Sequence, residues 1–161
     1  MKTLYLVRHA KSSWNQADLS DFERPLNERG NKDKTTMGKR LVENNVNIDL
    51  LLSSSAKRTR QTTLGLVKEL NIEADSIVYL DELYHPNIDR LLNSVCTAPN
   101  CVEELMVVAH NPGVSNFCDY LCGFSTDFPT LGIAKINFET DSWEEISSGT
   151  GMLEWYEYPK K

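Results

Sequence analysis

The chain has 161 residues, with 17 lysines and arginines against 23 aspartates and glutamates, and a formal net charge of −6. This length fits one domain, 1–161, and a composition that is 40% hydrophobic and 25% charged is typical of a globular protein. The acidic balance argues against a protein that binds nucleic acid or an anionic membrane over a broad surface, because such proteins carry an excess of cations there. It leaves open a small anionic ligand held by two or three cations.

The apolar runs indicate whether the chain can span a membrane, and the cysteines indicate the redox state of its compartment. The longest apolar runs are far shorter than the roughly 18 to 20 residues of a membrane span, and the N-terminus has no signal-peptide stretch. The four cysteines form no Cys-x-x-Cys pair, and with three histidines they make no convincing zinc pattern. We therefore expect no membrane span, no metal and no cofactor. Free thiols, with Cys118 and Cys122 buried, indicate a reducing, cytoplasmic compartment.

Short apolar runs alternate with longer amphipathic segments along the chain. The strands predicted in the first two thirds are 3–7, 48–52, 76–80 and 104–109. The helices predicted between and after them are 27–43, with Asn27 as the N-cap, 56–70, 88–95 and 114–121. The C-terminal part adds two or three strands, at 133–138, 143–146 and 152–158, with Trp143 and Trp155 as core or edge-strand residues. This alternation predicts an α/β fold, a three-layer sandwich in which helices flank a mostly parallel central sheet.

Three of the predicted strands end in residues that suit a phosphate site. Ligands of parallel α/β sheets bind at the carboxyl ends of the strands, where these residues would meet. His9 follows Arg8 at the first strand end, and a neutral imidazole there is a good nucleophile towards phosphorus. Neighbouring cations would depress its pKa and keep it neutral. His110 follows the strand 104–109 in the same layer, although a buried histidine can also be structural, and His85 lies in a loop-like stretch and is predicted to be peripheral.

Arg58 stands in the first turn of the helix 56–70, within a basic cluster. Cations there oppose the helix macrodipole by roughly 0.3 to 1 kcal/mol each, a cost that a bound anion would offset. A helix N-terminus with a planar guanidinium is a phosphate receptor, although a solvated basic turn is the alternative. Lys57 and Arg60 point to other faces and are expected to be surface charges.

Four stretches in this order resemble the histidine phosphatase superfamily, whose fold is phosphoglycerate mutase-like. Stretch 4–15, with Arg8-His9-Ala10, is similar to the family's opening Arg-His-Gly signature, and alanine at position 10 resembles the small SixA-type phosphohistidine phosphatases. Stretch 24–30 resembles the family's first helix opening, 54–62 its second arginine motif, and 108–112 its second histidine motif.

The resemblance implies a metal-independent phosphatase, a phosphoric monoester hydrolase that works through a phosphohistidine intermediate on His9. Arg8, Arg58 and His110 would surround the phosphoryl oxygens, with Asn15 as a further donor. Fixed cations and donors can stabilise such a transition state without a metal. The substrate implied is phosphohistidine on a phosphotransfer protein of signal transduction.

A general acid is the remaining role in this family. Asp81 and Glu82 are the candidates, and Glu82 is the choice because it lies nearer the middle of its loop, with an exposed acidic pair as the alternative. A phosphohistidine substrate needs this acid less than a phosphate ester does. The segment 80–104 leaves little room for a lid, and an open site suits a phosphorylated side chain. Two alternatives stay open: a phosphomonoesterase acting on a small sugar or nucleotide phosphate, and a non-catalytic phosphoprotein binder.

Overall fold

The computed structural model describes residues 1–161, and a six-stranded sheet runs through its centre. The strands are β1 (Lys2–Arg8), β2 (Leu50–Ser54), β3 (Ile77–Leu80), β4 (Glu104–Ala109), β5 (Ile133–Phe138) and β6 (Gly151–Glu157). They lie in the order β3-β2-β4-β1-β5-β6. The first four in this order are mutually parallel, and β5 is antiparallel to both β1 and β6. The prediction of an α/β fold with a mostly parallel sheet is confirmed.

Helices cover both faces of the sheet. They are α1 (Glu28–Glu43), α2 (Lys57–Leu70), α3 (Ile88–Cys96) and α4 (Gly113–Cys122). One apolar cluster joins one sheet face to α1 and α2, and a second joins the other face to α3 and α4. In β1, Leu4 belongs to the α3–α4 cluster and Tyr5 to the α1–α2 cluster, as the two-residue period of a strand requires. None of the four helices combines the length and the apolar character that crossing a membrane requires.

The pairing register brings the ends of three strands together. Arg8 in β1 pairs with Ala109 in β4, and Ser53 in β2 pairs with Val108 in β4. The residues that follow these three strands therefore leave the sheet at neighbouring points of its carboxyl edge. This is the edge at which the sequence predicted a phosphate site.

The start of α1 packs beneath the loop that follows β1. The Asn27 side chain accepts a hydrogen bond from the Gly30 backbone N–H at 2.8 Å, so the predicted N-cap is confirmed. A Cβ atom on Gly30 would collide with the Lys11 carbonyl oxygen, so glycine permits the close approach of helix and loop. The first turn of α1 thereby supports the backbone just beyond His9.

The prediction of a strand at 143–146 is wrong. Residues Trp143–Glu145 form one turn of 3₁₀ helix, in which the Ser142 side chain accepts a hydrogen bond from the Glu144 N–H at 3.3 Å. The Trp143 side chain is fully buried, and its Nε1–H donates to the Val102 carbonyl oxygen at 2.7 Å. One anchored aromatic residue, and not an alternating pattern, accounts for the apolar character of this segment. Trp155 lies in the edge strand β6.

Candidate active site

A small cavity of about 220 Å³ lies at the carboxyl edge of the sheet. The twelve residues that line it are Arg8, His9, Lys11, Ser12, Trp14, Asp21, Arg24, Arg58, His85, His110, Asn111 and Thr130. They come from the ends of β1 and β4, from the first turn of α2, from the loops that follow β1 and β3, and from the segment that precedes β5. The wall of this cavity is therefore built from segments far apart in the sequence.

His9 stands at the end of β1 and is held by backbone bonds on both sides. Its N–H donates to Ala109 at 3.1 Å, and its carbonyl accepts from Leu131 at 2.9 Å. Its Nδ1 lies 2.7 Å from the Ala10 carbonyl oxygen, which can only accept, so Nδ1 carries the proton and Nε2 carries the lone pair. Burial, together with the charges of Arg58 and Arg8, lowers the pKa of His9 to about 3, although the bond to Ala10 opposes this. The ring is therefore neutral at neutral pH, with a free nucleophilic nitrogen.

His110 follows β4 directly and lies beside His9. The centroids of the two rings are 5.1 Å apart, and His110 is almost fully buried. Its Nε2 lies 2.8 Å from the Ser54 hydroxyl at the end of β2, which fixes the ring plane. Burial is the main cause that lowers the pKa of His110 to about 2, with the nearby His9 and Arg58 adding to it. Its Nδ1 is buried and has no hydrogen-bond partner within the chain.

The guanidinium groups of half-buried Arg8 and of buried Arg58 face the same cavity. Arg8 donates from Nη1 to the Phe128 carbonyl oxygen at 2.6 Å, and Arg58 donates from Nη1 to the Asp21 carbonyl oxygen at 2.6 Å. The Nε atoms of both arginines are buried without a partner. Buried polar atoms are nearly always hydrogen-bonded in folded proteins. With Nδ1 of His110, these atoms make three unpartnered nitrogens around His9, an arrangement suited to an anion.

Asp21 lies at the centre of the polar contacts on one wall. Its carboxylate accepts hydrogen bonds from Tyr84 at 2.6 Å, Arg58 at 3.0 Å and Arg24 at 3.1 Å. Burial raises the pKa of Asp21, but the hydrogen bonds from Tyr84 and Arg58 outweigh it and hold that pKa well below its usual range. Asp21 is therefore an ionised acceptor that orients two arginines, and it cannot supply a proton at neutral pH.

The cavity wall is cationic although the chain is acidic. Arg8, Lys11, Arg24 and Arg58 contribute four positive charges and Asp21 one negative charge, which leaves +3 on the wall against −6 for the whole chain. No group of three or more histidine, cysteine, aspartate or glutamate side chains is arranged to hold a metal ion. Chemically, the wall offers a nucleophile surrounded by donors for the oxygens of a phosphoryl group.

A sequence profile of the histidine phosphatase superfamily (branch 1) matches residues 4–97, more than half of the chain. The chain belongs to this superfamily. The match begins in β1 and ends just beyond α3, so it includes Arg8, His9 and Arg58.

Solved structures place this histidine phosphatase in the SixA-type branch. A protein from Agrobacterium tumefaciens, assigned provisionally as the phosphohistidine phosphatase SixA, is 28% identical with a TM-score of 0.85 over 98% of both chains. The protein histidine phosphatase SixA in complex with tungstate is 26% identical with a TM-score of 0.85, over 98% of this chain and 97% of that one. An uncharacterized chloroplastic protein of Arabidopsis thaliana is 28% identical over 164 residues, which cover 96% of this chain and 74% of the relative. The family and its SixA neighbours support a phosphatase activity.

The histidine phosphatase fold brings some predicted site residues together and leaves others apart. Arg8, His9, Arg58 and His110 line one cavity. Asn15 is exposed in the loop after β1 and is not among the lining residues. The exposed positions of Lys57 and Arg60 are as predicted.

The acidic pair after β3 does not enter the cavity. Glu82 is exposed and lines a separate surface cavity with Arg90 and Asn93, while Asp81 accepts a hydrogen bond from Ser55. Both acids lie in the 3₁₀ turn Asp81–Leu83, which directs them to the surface while Leu83 packs into the core.

The prediction that His85 is peripheral is wrong. His85 lines the cavity, and its ring centroid lies 5.4 Å from that of His110. Sequence reasoning also missed Asp21, Arg24 and Tyr84. The spacing of Asp21 and Arg24 could have indicated their contact, because an acid three residues before an arginine can form a local ion pair, as these two residues do.

The depressed pKa values of His9 and His110 predict acid-sensitive stability. Unfolded histidines take up protons below about pH 6.5, whereas these two stay neutral in the native state until far lower pH. The unfolded state then binds more protons, so the free energy of unfolding decreases as the pH is lowered, by up to about 1.4 kcal/mol per pH unit for each histidine. Urea titrations of the native chain and of His9→Asn, between about pH 5 and about pH 6.5, measure the slope. The variant should have the shallower slope; equal slopes would contradict the neutral native imidazole.

Proposed function

We propose that the protein hydrolyses phosphohistidine on a phosphotransfer protein, with His9 as the nucleophile. The observation that carries this proposal is the set of three buried, unpartnered nitrogens on Arg8, Arg58 and His110 around the neutral His9 ring. A phosphoryl group held by these donors would present its phosphorus to Nε2 of His9. The family and its SixA neighbours support the underlying phosphatase chemistry.

The proposed reaction has two displacements at phosphorus. Nε2 of His9 attacks first, so that the phosphoryl group moves to His9 and the leaving group departs. Charge spreads over the three equatorial oxygens in the transition state, where the fixed guanidinium groups of Arg8 and Arg58 and the imidazole of His110 stabilise it. Water then attacks the phosphohistidine and releases inorganic phosphate. Because the donors are held in place before the substrate arrives, no reorganisation accompanies the reaction.

The choice of phosphohistidine rests on the carboxyl groups around the site. An alkyl phosphate loses an alkoxide, which requires a strong proton donor, whereas a phosphoramidate loses its imidazole more readily. Asp21 is the single carboxyl group of the cavity wall, and it is ionised. Glu82, the acid favoured from the sequence, lines a different cavity. A wall without a protonated carboxyl group suits a substrate whose leaving group needs no strong acid.

The rim of the cavity favours a macromolecular substrate. Trp14 lines the cavity and is 72% exposed, with the Arg24 guanidinium 3.5 Å from its ring centroid. Exposed tryptophans and stacked arginines are typical anchors of protein interfaces. A cavity of about 220 Å³ can take a phosphoryl group and the ring that carries it, while the rest of a protein substrate remains on the rim.

A substrate comparison without added metal tests the proposal. The kcat/KM for a phosphorylated histidine phosphotransfer protein is expected to exceed that for sugar and nucleotide phosphates by about 10²-fold or more, since only the protein reaches contacts beyond the cavity. Release of phosphate is measured with His9→Ala as the blank, because phosphohistidine also hydrolyses spontaneously. A higher kcat/KM for a sugar or nucleotide phosphate would identify a phosphomonoesterase instead. Absence of turnover on every substrate would identify a binder.

A cytoplasmic location is part of the same proposal. All four cysteines are free, and the Sγ atoms of Cys118 and Cys122 lie 3.9 Å apart without a bond. Unpaired neighbouring thiols are typical of proteins in reducing compartments.

A further inference from the structure

His85 is the third imidazole of the cavity wall, and the reaction described above leaves it unused. Its ring centroid lies 5.4 Å from that of His110, which in turn lies 5.1 Å from that of His9. The His85 side chain is 55% exposed, whereas His9 and His110 are buried. The three rings therefore run from the floor of the cavity to its mouth. In an in-line displacement the leaving group lies on the side of the phosphorus opposite to His9.

Two side chains and the backbone fix the orientation of the His85 ring. Its Nε2 lies 3.2 Å from Oδ2 of Asp21, and its ring lies over Tyr84 with centroids 4.1 Å apart. Its backbone has a φ of 48°, in the left-handed region that residues other than glycine rarely adopt. Backbone strain of this kind is concentrated at functional sites. Because Nε2–H is directed to the carboxylate, Nδ1 is the nitrogen that remains for a ligand.

The two buried histidines and the nearby carboxyl groups cannot act as the acid. Burial lowers the pKa of His9 to about 3 and that of His110 to about 2, so both rings are neutral at neutral pH. Asp21 is ionised, and Glu82 lies outside the cavity. Among the three imidazoles, His85 alone is exposed to water and paired with a carboxylate, and histidine is the side chain that most often serves as a general acid and base in enzymes.

We propose that His85, oriented by Asp21, gives a proton to the leaving group and then takes one from water. In the first step Nε2 of His9 bonds to phosphorus and the bond to the leaving oxygen or nitrogen breaks. The electron pair stays on that atom, which takes the proton from Nδ1 of His85. In the second step a water oxygen bonds to phosphorus, the electron pair of the P–Nε2 bond returns to His9, and Nδ1 of His85 takes a proton from the water.

These two steps convert substrate and water into the dephosphorylated product and inorganic phosphate, and they return both histidines to their starting states. The inference rests on the phosphohistidine intermediate of the proposed function, but not on the identity of the phosphoprotein. It assigns to an imidazole the role that the sequence assigned to Glu82. Asp21, which orients Arg24 and Arg58, would then have a second role. It would be the acceptor that determines which nitrogen of His85 faces the substrate.

A series of phosphate esters with leaving groups of graded basicity tests the role of His85. For His85→Gln, kcat/KM is expected to fall by about 10²-fold on phenyl and alkyl phosphates. On p-nitrophenyl phosphate, whose anion leaves without a proton, the fall is expected to be less than about 3-fold. The dependence of rate on leaving-group basicity therefore becomes steeper, which a merely structural role would not cause. Added free imidazole should restore part of the phenyl phosphate rate in His85→Ala.

Matched variants and the unmodified enzyme separate the outcomes. The same series with Glu82→Gln should keep the native leaving-group dependence, and a steeper dependence there would overturn the assignment to His85. An equal loss of His85→Gln on all esters would also overturn it. Suppose that the native protein hydrolyses these esters and becomes labelled on His9, but that His85→Gln keeps the native dependence of rate on leaving-group basicity. The role of His85 is then wrong, while the proposed function stands. If His9 is never labelled, the proposed function fails as well.

Discussion

Replacement of His9 by alanine is expected to lower kcat by about 10⁴-fold or more, because loss of a nucleophile removes the covalent route altogether. Nε2 of His9 is the free, unprotonated nitrogen of a ring held by Ala10, Ala109 and Leu131. Arg58 and the other donors would remain in place to bind phosphate. The variant is therefore expected to bind phosphate with nearly native affinity while failing to turn substrate over.

Trapping of the intermediate is the sharper measurement. A radiolabelled phosphodonor, quenched during turnover, should leave label on the native chain that is stable in base and lost in acid, as a phosphoramidate requires. Peptide mapping should locate the label to the segment that contains His9, and the alanine variant should carry none. Full activity of His9→Ala, or label that remains on that variant, would contradict the assigned nucleophile. His110→Ala serves as the comparison, because it removes a donor and keeps the nucleophile.

The carboxyl edge of the sheet could be predicted from the sequence because local patterns determine it. Each strand shows its apolar run and its end without reference to the rest of the chain, and parallel strands present their ends at one edge. The register of Arg8 with Ala109 and of Ser53 with Val108 then brings the following residues together. The chemical roles of the residues at this edge remain predictions.

The part of the cavity wall formed by Asp21, Arg24 and His85 could not be predicted, because it depends on contacts that no local pattern encodes. Asp21 reaches Arg58 across 37 positions of the chain and His85 across 64, through a loop without any hydrophobic period. His85 enters the cavity through a left-handed backbone conformation in a short loop, and propensities do not predict such a conformation for histidine. The wrong strand at 143–146 has a similar cause. The sequence shows that Trp143 is apolar, but it does not show the contacts that bury this side chain in the core.

The net charge of the chain does not describe the site, because it averages over the whole surface and the site is a small part of it. A wall with charge +3 lies in a chain of −6. At physiological ionic strength the Debye length is about 8 Å, so distant acidic groups hardly weaken the attraction of this small cavity for a phosphate. The acidic surface would act on the approach of a partner protein instead, by disfavouring acidic partners.

Replacement of Arg58 by alanine is expected to lower kcat/KM by about 10²- to 10³-fold, the effect of losing one preorganised donor to a developing charge. The residue is only 2% exposed, and its Nε has no partner within the chain. The fold should survive the change, because Asp21 keeps its hydrogen bonds with Arg24 and Tyr84. Thermal unfolding of the variant checks this before the kinetics are compared.

Arg60 is the matched control, since it lies on the same helix but is exposed, with its guanidinium 4.7 Å from the ring centroid of Tyr79. Arg60→Ala should leave kcat/KM within about 2-fold of native, because a screened surface charge contributes little. Arg58→Lys keeps the charge but loses the planar fork, and a loss of about 10-fold or more would show that geometry and not charge alone matters. If Arg58→Ala lost no more activity than Arg60→Ala, Arg58 would serve only as the partner of Asp21. Asp21→Asn should then reproduce its phenotype, whereas an Arg58 that holds phosphate makes the two variants differ.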